Sequence, residues 1–530
     1  MATRSGGSSH DAIDDRAQDA AGSTGWSGQY TGNKWWTLVA VCLGTFMLLL
    51  DVTIVNVALP DIQRALNSGF GDLQWVVDAY ALTLAALLLA AGSLADLYGR
   101  RLLYLVGLCI FTVASLLCGS AASTLMLQLC RALQGIGGAV MFAVSLALLA
   151  DAFRGKDRGT AFGIWGAVTG LAVAIGPLLG GALTSGVSWR WIFFVNIPIG
   201  LIAVVITTVH VAESKVKDAR RPDVPGFVVF TLGLGGIVFA LIESNQRSFT
   251  DPRVLGSLIG AVVLLVAFVF IERAVTNPMF ELGLFGLPTF SGGLVAAFGI
   301  SASIFSCLLY LVLYLQDVLG FSAYGTGLRL LVLSGGILIT TPIAGRLSAR
   351  MPVRYLIGPG LLLIGVGLLL MLGLGAGSHW THLIAGLAVA GAGSGMVNPP
   401  LASTAVGVVT PERAGMASGI NSTFRQVGIA TGIALLGTLF ANRVTGDVIT
   451  RAQQVPGLRG RGPELASAIT SGRLSEVRVA PNDRGAVNAL ARAAFTAGLD
   501  RILLTAAIIA FVAGLIALLA IRQKDFAVQR

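Results

Sequence analysis

Leu-Asp-Val-Thr-Ile-Val-Asn-Val-Ala-Leu-Pro, residues 50–60, closes the first long apolar run of the chain and places a carboxylate, Asp51, inside it. An ionised carboxylate in hydrocarbon costs several kcal/mol unless it is paired, neutralised or hydrated. The stretch therefore predicts a membrane-spanning helix that carries a functional acid.

The composition of the whole chain indicates a membrane protein. Of its 530 residues, 55% are hydrophobic and 12% are charged, whereas a soluble domain has about 25% charged residues. The net charge of +10 would suggest a nucleic-acid partner in a soluble protein, but these charges lie in short loops. We therefore expect contact with anionic membrane lipids and no nucleic-acid partner.

Apolar runs of about 20 residues, the length that crosses roughly 30 Å of hydrocarbon, recur along the sequence. They predict an all-α polytopic membrane protein with fourteen spans. The runs lie near residues 35–58, 75–96, 102–120, 125–150, 160–184, 192–212, 224–243, 253–272, 288–314, 326–348, 355–375, 380–401, 416–440 and 501–521. Lys and Arg concentrate in alternate loops, so both termini are expected to be cytoplasmic and the protein to lie in the cytoplasmic membrane.

Two pairs of similar segments indicate a duplication. Residues 92–101 align with 345–354, and residues 158–163 resemble 413–419. Two related halves would enclose a substrate site near the membrane midplane. The predicted organisation is a disordered cytoplasmic tail (1–33), a six-helix bundle (34–215), two inserted helices (216–275) and a second six-helix bundle (276–525) with an extracytoplasmic excursion (441–500).

Three ionisable residues of the first half are predicted at similar depth. At about 1.5 Å per helical residue, Asp51, Asp78 and Arg131 all fall in the outer third of their spans. A permanently charged arginine stabilises a nearby carboxylate, whereas burial opposes the charge. We expect these residues to form one network suited to proton coupling, and a static ion pair that fixes helix packing is the alternative.

Polar and small residues within the spans are candidates for lining a substrate cavity. Gln134 and Gly138 share a helix face with Arg131, while Arg425 and Gln426 lie near mid-depth of their span. Asn56 lies in the first span, beyond Asp51. Arg425 is the strongest buried charge of the second half, and an acid across the interface, an anionic substrate and a structural pair all stay open as its partner.

A cytoplasmic loop after the second span is the predicted latch. Its candidate residues are Gly92, Asp96, Gly99, Arg100 and Arg101. A carboxylate at a helix C-terminus opposes the helix dipole. We therefore expect Asp96 to pair with a loop arginine or with a neighbouring helix N-terminus, which would hold the inward side shut.

The fifth span is the predicted gate helix. Its candidate residues are Gly176, Pro177, Gly180 and Gly181. Small residues four apart allow helices to pack closely, and a proline removes one helix hydrogen bond and permits a bend. Plain helix packing is the alternative explanation for this motif.

Together these stretches resemble the major facilitator superfamily, and within it the fourteen-helix drug:proton antiporters of the quaternary-ammonium-resistance type. Residues 50–60, 92–101, 131–138 and 176–181 look like that family's first-helix, loop, fourth-helix and fifth-helix motifs, and residues 189–198 are a further family-like run. The resemblance covers about residues 34–525. It implies the major facilitator fold, export of organic compounds against entering protons, and roles for Asp51 and Arg131 in coupling.

Two departures from the family pattern concern the latch and the substrate. Leu97 stands where the loop motif usually has a basic residue, and the tenth span lacks the acid that some multidrug members carry. The second departure puts dicationic substrates in doubt and leaves monocationic, neutral and anionic compounds open.

The first functional hypothesis is a proton-coupled antiporter that exports amphipathic organic compounds, such as drugs, dyes and antibiotics. The second is a dedicated exporter of one endogenous metabolite, lipid or siderophore, and the third is a membrane enzyme or receptor on a similar scaffold. Enzyme activity is not expected, because the sequence offers no metal-ligand set, Ser-His-Asp arrangement or phosphate loop. We expect no metal and no cofactor beyond the proton gradient, with substrate, protons and lipids as partners of a monomer.

Overall fold

The structure, a computed structural model, describes residues 33–153, 155–215, 223–244, 250–276, 278, 282–348, 350–375, 377–409, 414–470 and 484–529. These residues form helices joined by short loops, and no strand occurs among them. The predicted tail lies outside the described residues except for Asn33.

Each of the fourteen predicted apolar runs overlaps a helix. The helices are α1 (Lys34–Leu66), α2 (Phe70–Tyr98), α3 (Arg100–Gly119), α4 (Thr124–Ala152), α5 (Gly155–Gly186), α6 (Trp191–His210), α7 (Val224–Glu243), α8 (Pro252–Ala274), α9 (Pro288–Val318), α10 (Ala323–Ser348), α11 (Arg354–Leu370), α12 (His382–Gly407), α13 (Ala414–Ala452), α14 (Gly462–Thr470) and α15 (Arg484–Ala520). In the described chain, ten helices are long and apolar enough to cross a membrane, or eleven if the bent α5 is included. The fourteen spans and the cytoplasmic termini stay predictions.

The two halves repeat one packing pattern. In the first half, α4 packs against α2 and α3, and α1 packs against α5 and α6. In the second half, α12 packs against α10 and α11, and α9 packs against α13 and α15. A duplicated bundle has equivalent neighbours at equivalent positions, as these helices do. Helices α7 and α8 pack against each other outside this repeat, and α7 also contacts α2 and α13.

Two helix pairs form the seams between the halves, α5 with α10 and α2 with α13. In the first seam the backbones almost touch. A Cβ atom on Gly181 would lie 2.4 Å from the carbonyl oxygen of Ala323, and a Cβ on Gly327 would lie 2.3 Å from that of Pro177. Larger side chains at these glycines would force α5 and α10 apart.

The second seam is held by side chains that bond to backbone carbonyls of the other half. The Gln74 amide donates to the carbonyl of Ile433 over 3.0 Å, and the Thr423 hydroxyl donates to the carbonyl of Ala85 over 3.2 Å. These bonds fix the antiparallel register of α2 against α13.

Helix α5 is bent and closely packed. Residues 164–173 and 175–186 form segments that meet at 43°, about one turn before Pro177, whose missing N–H cannot bond to residue 173. A Cβ atom on Gly176 would lie 1.8 Å from Oγ1 of Thr53, and one on Gly180 would lie 2.8 Å from the carbonyl oxygen of Ile54. The predicted gate helix therefore contacts α1 through Gly176 and Gly180 and the second half through Pro177 and Gly181.

Helices α13 and α15 are longer than the sequence predicts. Helix α13 continues to Ala452, and α15 already begins at Arg484. Both extensions are stabilised because apolar side chains such as Val444, Val448 and Leu490 are buried beyond the expected membrane boundary. About half of the predicted excursion is thus an extension of these two helices, and α14 packs on α13. Residues 471–483 lie outside the described residues.

Replacing Gly176 with Ala should lower the thermal stability of the purified protein. The substitution raises intrinsic helix propensity, yet the new methyl group would overlap the Thr53 hydroxyl, and overpacking costs about 1–3 kcal/mol. The measurement is the unfolding temperature in detergent.

Gly166→Ala is the matched control in the same helix, because no described atom lies within 4 Å of a Cβ there. Adding Thr53→Ala to Gly176→Ala should restore part of the loss. Equal stability of the Gly176 and Gly166 variants would contradict close packing of α5 on α1.

Candidate functional site

A buried ion pair between α1 and α4 forms the centre of the candidate site. The Arg131 guanidinium donates to Oδ2 of Asp51 over 2.5 Å, and the two side chains are 1% and 0% exposed. Both residues were predicted to lie at similar depth in one network with Asp78, and the structure brings these two into direct contact. Such a pair is stable in a low-dielectric interior only when further hydrogen bonds satisfy both partners.

Two amides complete the environment of the Asp51 carboxylate. Gln134 donates to Oδ1 over 2.9 Å, and Asn196, at the break within α6, donates to the same oxygen over 3.3 Å. The Gln134 amide also donates to the Ser115 hydroxyl of α3 over 2.9 Å. Every contact to the carboxylate comes from a donor, which is the arrangement that an ionised acid requires.

The Arg131 guanidinium is satisfied in a similar way. It donates from Nε to the carbonyl of Val76 over 3.1 Å and from Nη1 to the amide oxygen of Gln134 over 2.7 Å. The Tyr80 ring lies 4.2 Å from its central carbon, a distance that favours a cation–π interaction. Side chains or carbonyls of α1, α2, α3, α4 and α6 therefore meet at one polar cluster.

Sequence reasoning missed three members of this cluster. Ser115 and Tyr80 lie in runs without a motif, and their role follows only from helix packing. Asn196 had a signal, because it belongs to the run 189–198 that resembles the family. Gln134, predicted to line a cavity, is instead fully buried in the cluster.

The expectation that Asp78 joins this network needs correction. Val76 and Asp78 are two residues apart on α2 and so point to nearly opposite sides of the helix. Val76 faces Arg131, whereas Asp78 lies on the face of Gln74 and Ala85, whose side chain and carbonyl bond to α13. Asp78 is 0% exposed, and neither carboxyl oxygen has a hydrogen-bond partner among the described residues. It is a carboxyl group enclosed in the α2–α13 seam.

The remaining cavity candidates separate into two groups. Gly138 is buried, and a Cβ on it would lie 3.2 Å from the Tyr80 hydroxyl, so it packs beside the cluster rather than facing a cavity. Asn56, Arg425 and Gln426 are half-buried. Within the described chain, neither Arg425 nor Gln426 has a hydrogen bond or an ion pair.

Asn56 lines a narrow cleft between the halves. The cleft is mostly apolar, and its few polar side chains come from both halves. Its lining residues are Thr53, Asn56, Val57, Val173, Pro177, Phe305, Leu308, Val312, Leu330, Leu333, Ser334 and Ile337. Its volume of about 20 Å³ holds about one water molecule in this conformation, so the halves would have to separate before an organic molecule could enter it.

The predicted latch loop is tied to the first half. Arg100 forms an ion pair with Asp151 at the end of α4, and the Ser214 hydroxyl donates to the same carboxylate over 2.8 Å. Gly92 lies within α2 and has open space around its α-carbon among the described atoms. The side chain of Asp96, the proposed centre of the latch, lies outside the described residues.

A second acid caps the helix that follows the latch loop. The Glu213 carboxylate accepts the backbone N–H groups of Arg101 and Leu102 over 3.0 and 3.1 Å. Gly99 adopts a φ of +123° directly beside it, a conformation that glycine favours. Asp151 and Glu213 therefore bind the loop after α2, and the charge pattern of the loop gave no signal for either, while the predicted role of Asp96 stays a prediction.

Among the described residues, no group of three or more His, Cys, Asp or Glu side chains lies close enough together to hold a metal ion.

Comparisons with known proteins agree with this architecture. The family model of the Major Facilitator Superfamily matches residues 41–433. The chain is 39% identical over 408 residues to the "Multidrug resistance protein Stp" of Mycobacterium tuberculosis, covering 76% of this chain and 75% of that protein. It is 33% identical over 501 residues to the "Tetracenomycin C resistance and export protein" of Streptomyces glaucescens, covering 92% and 91%.

Solved structures share the fold at low sequence identity. A bacterial homologue of the human lysosomal transporter Spinster, in an inward-facing and occupied conformation, superposes with a TM-score of 0.60 at 18% identity. The superposition covers 94% of this chain and 99% of that structure.

Replacing Asp51 with Ala should cost about 3–5 kcal/mol of unfolding free energy, because it leaves the Arg131 charge buried and uncompensated. The loss should be smaller in Asp51→Ala/Arg131→Ala than the sum of the two single variants. Unfolding by denaturing detergent in mixed micelles measures this double-mutant cycle.

The control is Asp157→Ala, which removes the half-exposed ion pair with Lys34 and should cost no more than about 1 kcal/mol. Additive losses at Asp51 and Arg131 would show that the two residues do not act as a pair.

Proposed function

The chain belongs to the major facilitator superfamily, and from this premise we propose that it is a proton-coupled antiporter that exports amphipathic organic compounds by alternating access. It works in the cytoplasmic membrane as a monomer, with the proton gradient as its energy source and no cofactor. The relatives bear names of multidrug and antibiotic resistance proteins, which supports a drug-like substrate.

The observation that carries the proposal is the fully buried Asp51–Arg131 pair with its three amide and hydroxyl partners. A proton on Asp51 would remove the charge that compensates Arg131, and an uncompensated buried charge costs about 3–5 kcal/mol. The pair therefore has to rearrange on protonation. Because it joins five helices of the first half, that rearrangement would shift helices and not only side chains.

Asp78 supplies the second coupling group. An ionised carboxyl group without donors in this seam would bear the full cost of burying a charge, so the closed seam favours its neutral form holding the proton. The same seam must open for the halves to separate. Access of water to Asp78 is therefore linked to the movement that exposes the substrate site, as coupled antiport requires.

The contacts between the halves support alternating access. Besides the Gln74 bond, the Gln316 amide donates to the Val57 carbonyl over 2.7 Å, and the Tyr324 N–H donates to the Ser185 hydroxyl over 2.9 Å. All three bonds lie toward the predicted external end of the helices. We infer that the conformation described here is closed to the outside, with the bend and close glycine contacts of α5 as the pivot.

The proton gradient is sufficient for useful export. One charge crossing a potential of 100 mV releases about 2.3 kcal/mol, and every 1.4 kcal/mol corresponds to a tenfold ratio of concentrations. A single proton could therefore sustain a substrate gradient of about fiftyfold.

A dedicated exporter of one metabolite is the second candidate function. It is favoured by the relative named as a Tetracenomycin C resistance and export protein, which matches over 92% of this chain. A panel of structurally unrelated dyes and antibiotics separates the two candidates, because a dedicated exporter would move compounds of a single scaffold.

Asp51→Asn should abolish proton-driven export. The amide keeps the shape of the side chain but neither binds a proton nor compensates Arg131. The measurement is efflux of a fluorescent substrate from energised cells at matched expression, with and without a protonophore. Asp157→Asn, at the half-exposed pair with Lys34, is the control and should retain efflux. Protonophore-sensitive efflux by Asp51→Asn would rule out Asp51 as a coupling group.

Asp78→Asn should separate coupling from substrate movement. The amide mimics the protonated acid in the seam, so the halves should still close and substrate exchange should continue. Accumulation against a gradient should be lost. Proteoliposomes loaded with unlabelled substrate measure exchange, and an imposed pH gradient measures accumulation. Loss of both activities would assign Asp78 a structural role, and retention of both would exclude it from coupling.

A further inference from the structure

The charges of the transmembrane region are unevenly accessible. The two described acids within the spans of the first half, Asp51 and Asp78, are both 0% exposed, one inside the polar cluster and one inside the closed seam. The side chain of Asp96 is outside the described residues. In this conformation the described part of the central region therefore offers no accessible carboxylate to a cationic substrate.

Arg425 differs from these enclosed acids. It is half-buried, and it has no ion pair, hydrogen bond or aromatic partner among the described residues. Two other arginines of the spans differ, because Arg131 is paired with Asp51 and Arg329 lies over Phe321 at 3.4 Å. A long, unpaired guanidinium within a membrane bundle is costly and is most often functional.

The neighbours of Arg425 on α13 locate it between α9 and α12. Residues 421, 425, 428 and 432 share one helix face. The Asn421 amide donates to the Leu401 carbonyl of α12 over 3.5 Å, and Gly428 packs against the Phe298 carbonyl of α9. Two residues before Arg425, the Thr423 hydroxyl donates a hydrogen bond across the seam to the Ala85 carbonyl of α2. Thr423 and Arg425 are two residues apart and so point to nearly opposite sides of α13, which places Arg425 between α9 and α12 within the second half.

A second polar group lies at the same depth. Helices α12 and α13 are antiparallel, so the Asn421–Leu401 contact sets Arg425 level with residues 397–398 at about 1.5 Å per residue. The amide oxygen of Asn398 is buried and has no hydrogen-bond partner among the described residues. A guanidinium and an unsatisfied amide at one depth are groups that can bind an anionic oxygen pair.

We propose that Arg425, with Asn398 near it, binds the anionic group of the substrate, so that the exported compounds are amphipathic carboxylates or phenolates and not organic cations. This inference rests on the proposed export function and names its substrate class. A guanidinium without a partner also repels a cationic substrate. This repulsion lowers the affinity for cations and so contributes to specificity for anions.

Two xanthene dyes of opposite charge test the inference. Fluorescein is anionic and rhodamine 123 is cationic, while their ring systems are nearly the same. Binding to the full chain in detergent is measured by fluorescence anisotropy, and transport is measured in proteoliposomes with an imposed proton gradient. The variants are Arg425→Gln and Arg425→Lys. Arg492→Gln, an exposed residue of the α15 extension, is the control for loss of one positive charge.

The intact protein should bind and transport fluorescein in preference to rhodamine 123. Arg425→Gln should weaken fluorescein binding by about tenfold or more, as expected for loss of a charge-assisted hydrogen bond, and should leave or improve rhodamine binding. Arg425→Lys should retain part of the affinity, and Arg492→Gln should match the intact protein.

The possible failures are distinguishable. Preferential binding of rhodamine 123, absence of fluorescein binding, or equal losses for both dyes in Arg425→Gln would overturn the inference while leaving export intact. Fluorescein binding that depends on Arg425 without gradient-driven transport would sustain the anion site and overturn the export function.

Discussion

An uncompensated charge is unstable in hydrocarbon. In this protein that constraint acts at the Asp51–Arg131 pair and determines how the surrounding helices are placed. A carboxylate on α1 requires a cation at the same depth, and the cation requires acceptors for its remaining donors. Val76, Gln134 and the Tyr80 ring meet that need. The positions of α2, α4 and α6 around α1 are thus fixed by the need to satisfy one buried pair, and any change in its protonation acts on all of them.

The seams between the halves depend on a different property, the absence of side chains. Gly181 and Gly327 allow α5 and α10 to touch through their backbones, and Gly437 allows α13 to approach Gln74 of α2. Backbone contacts of this kind involve few interlocking side chains, so they form and separate with little repacking. Asp78 lies in one of these seams, which connects the second acid of the first half to the relative movement of the halves.

Accessibility separates the charged groups by role. Asp51, Arg131 and Asp78 are enclosed and suit protons, which need no cavity. Arg425 is half-buried and is the group that we propose for binding a substrate anion. The relatives are named for resistance to chemically diverse compounds, and the described cleft between the halves is lined by apolar and uncharged polar side chains.

The sequence by itself determined the helical membrane architecture, the extent of the spans to within several residues at most ends, and the similar depth of Asp51 and Arg131. It did so because hydrophobic run length and buried charge are local properties that the bilayer constrains directly. Short sequence motifs likewise indicated the family to which the chain is similar. Only the tertiary structure decided which side of α2 Asp78 lies on, and that Ser115 and Asn196 complete the polar cluster. It also showed that Asp151 and Glu213 bind the loop after α2, and that α13 and α15 extend beyond the predicted membrane boundary. Those features depend on the rotation and register of helices against one another, which follow from side-chain packing between segments far apart in the chain and leave no periodic signal in the sequence.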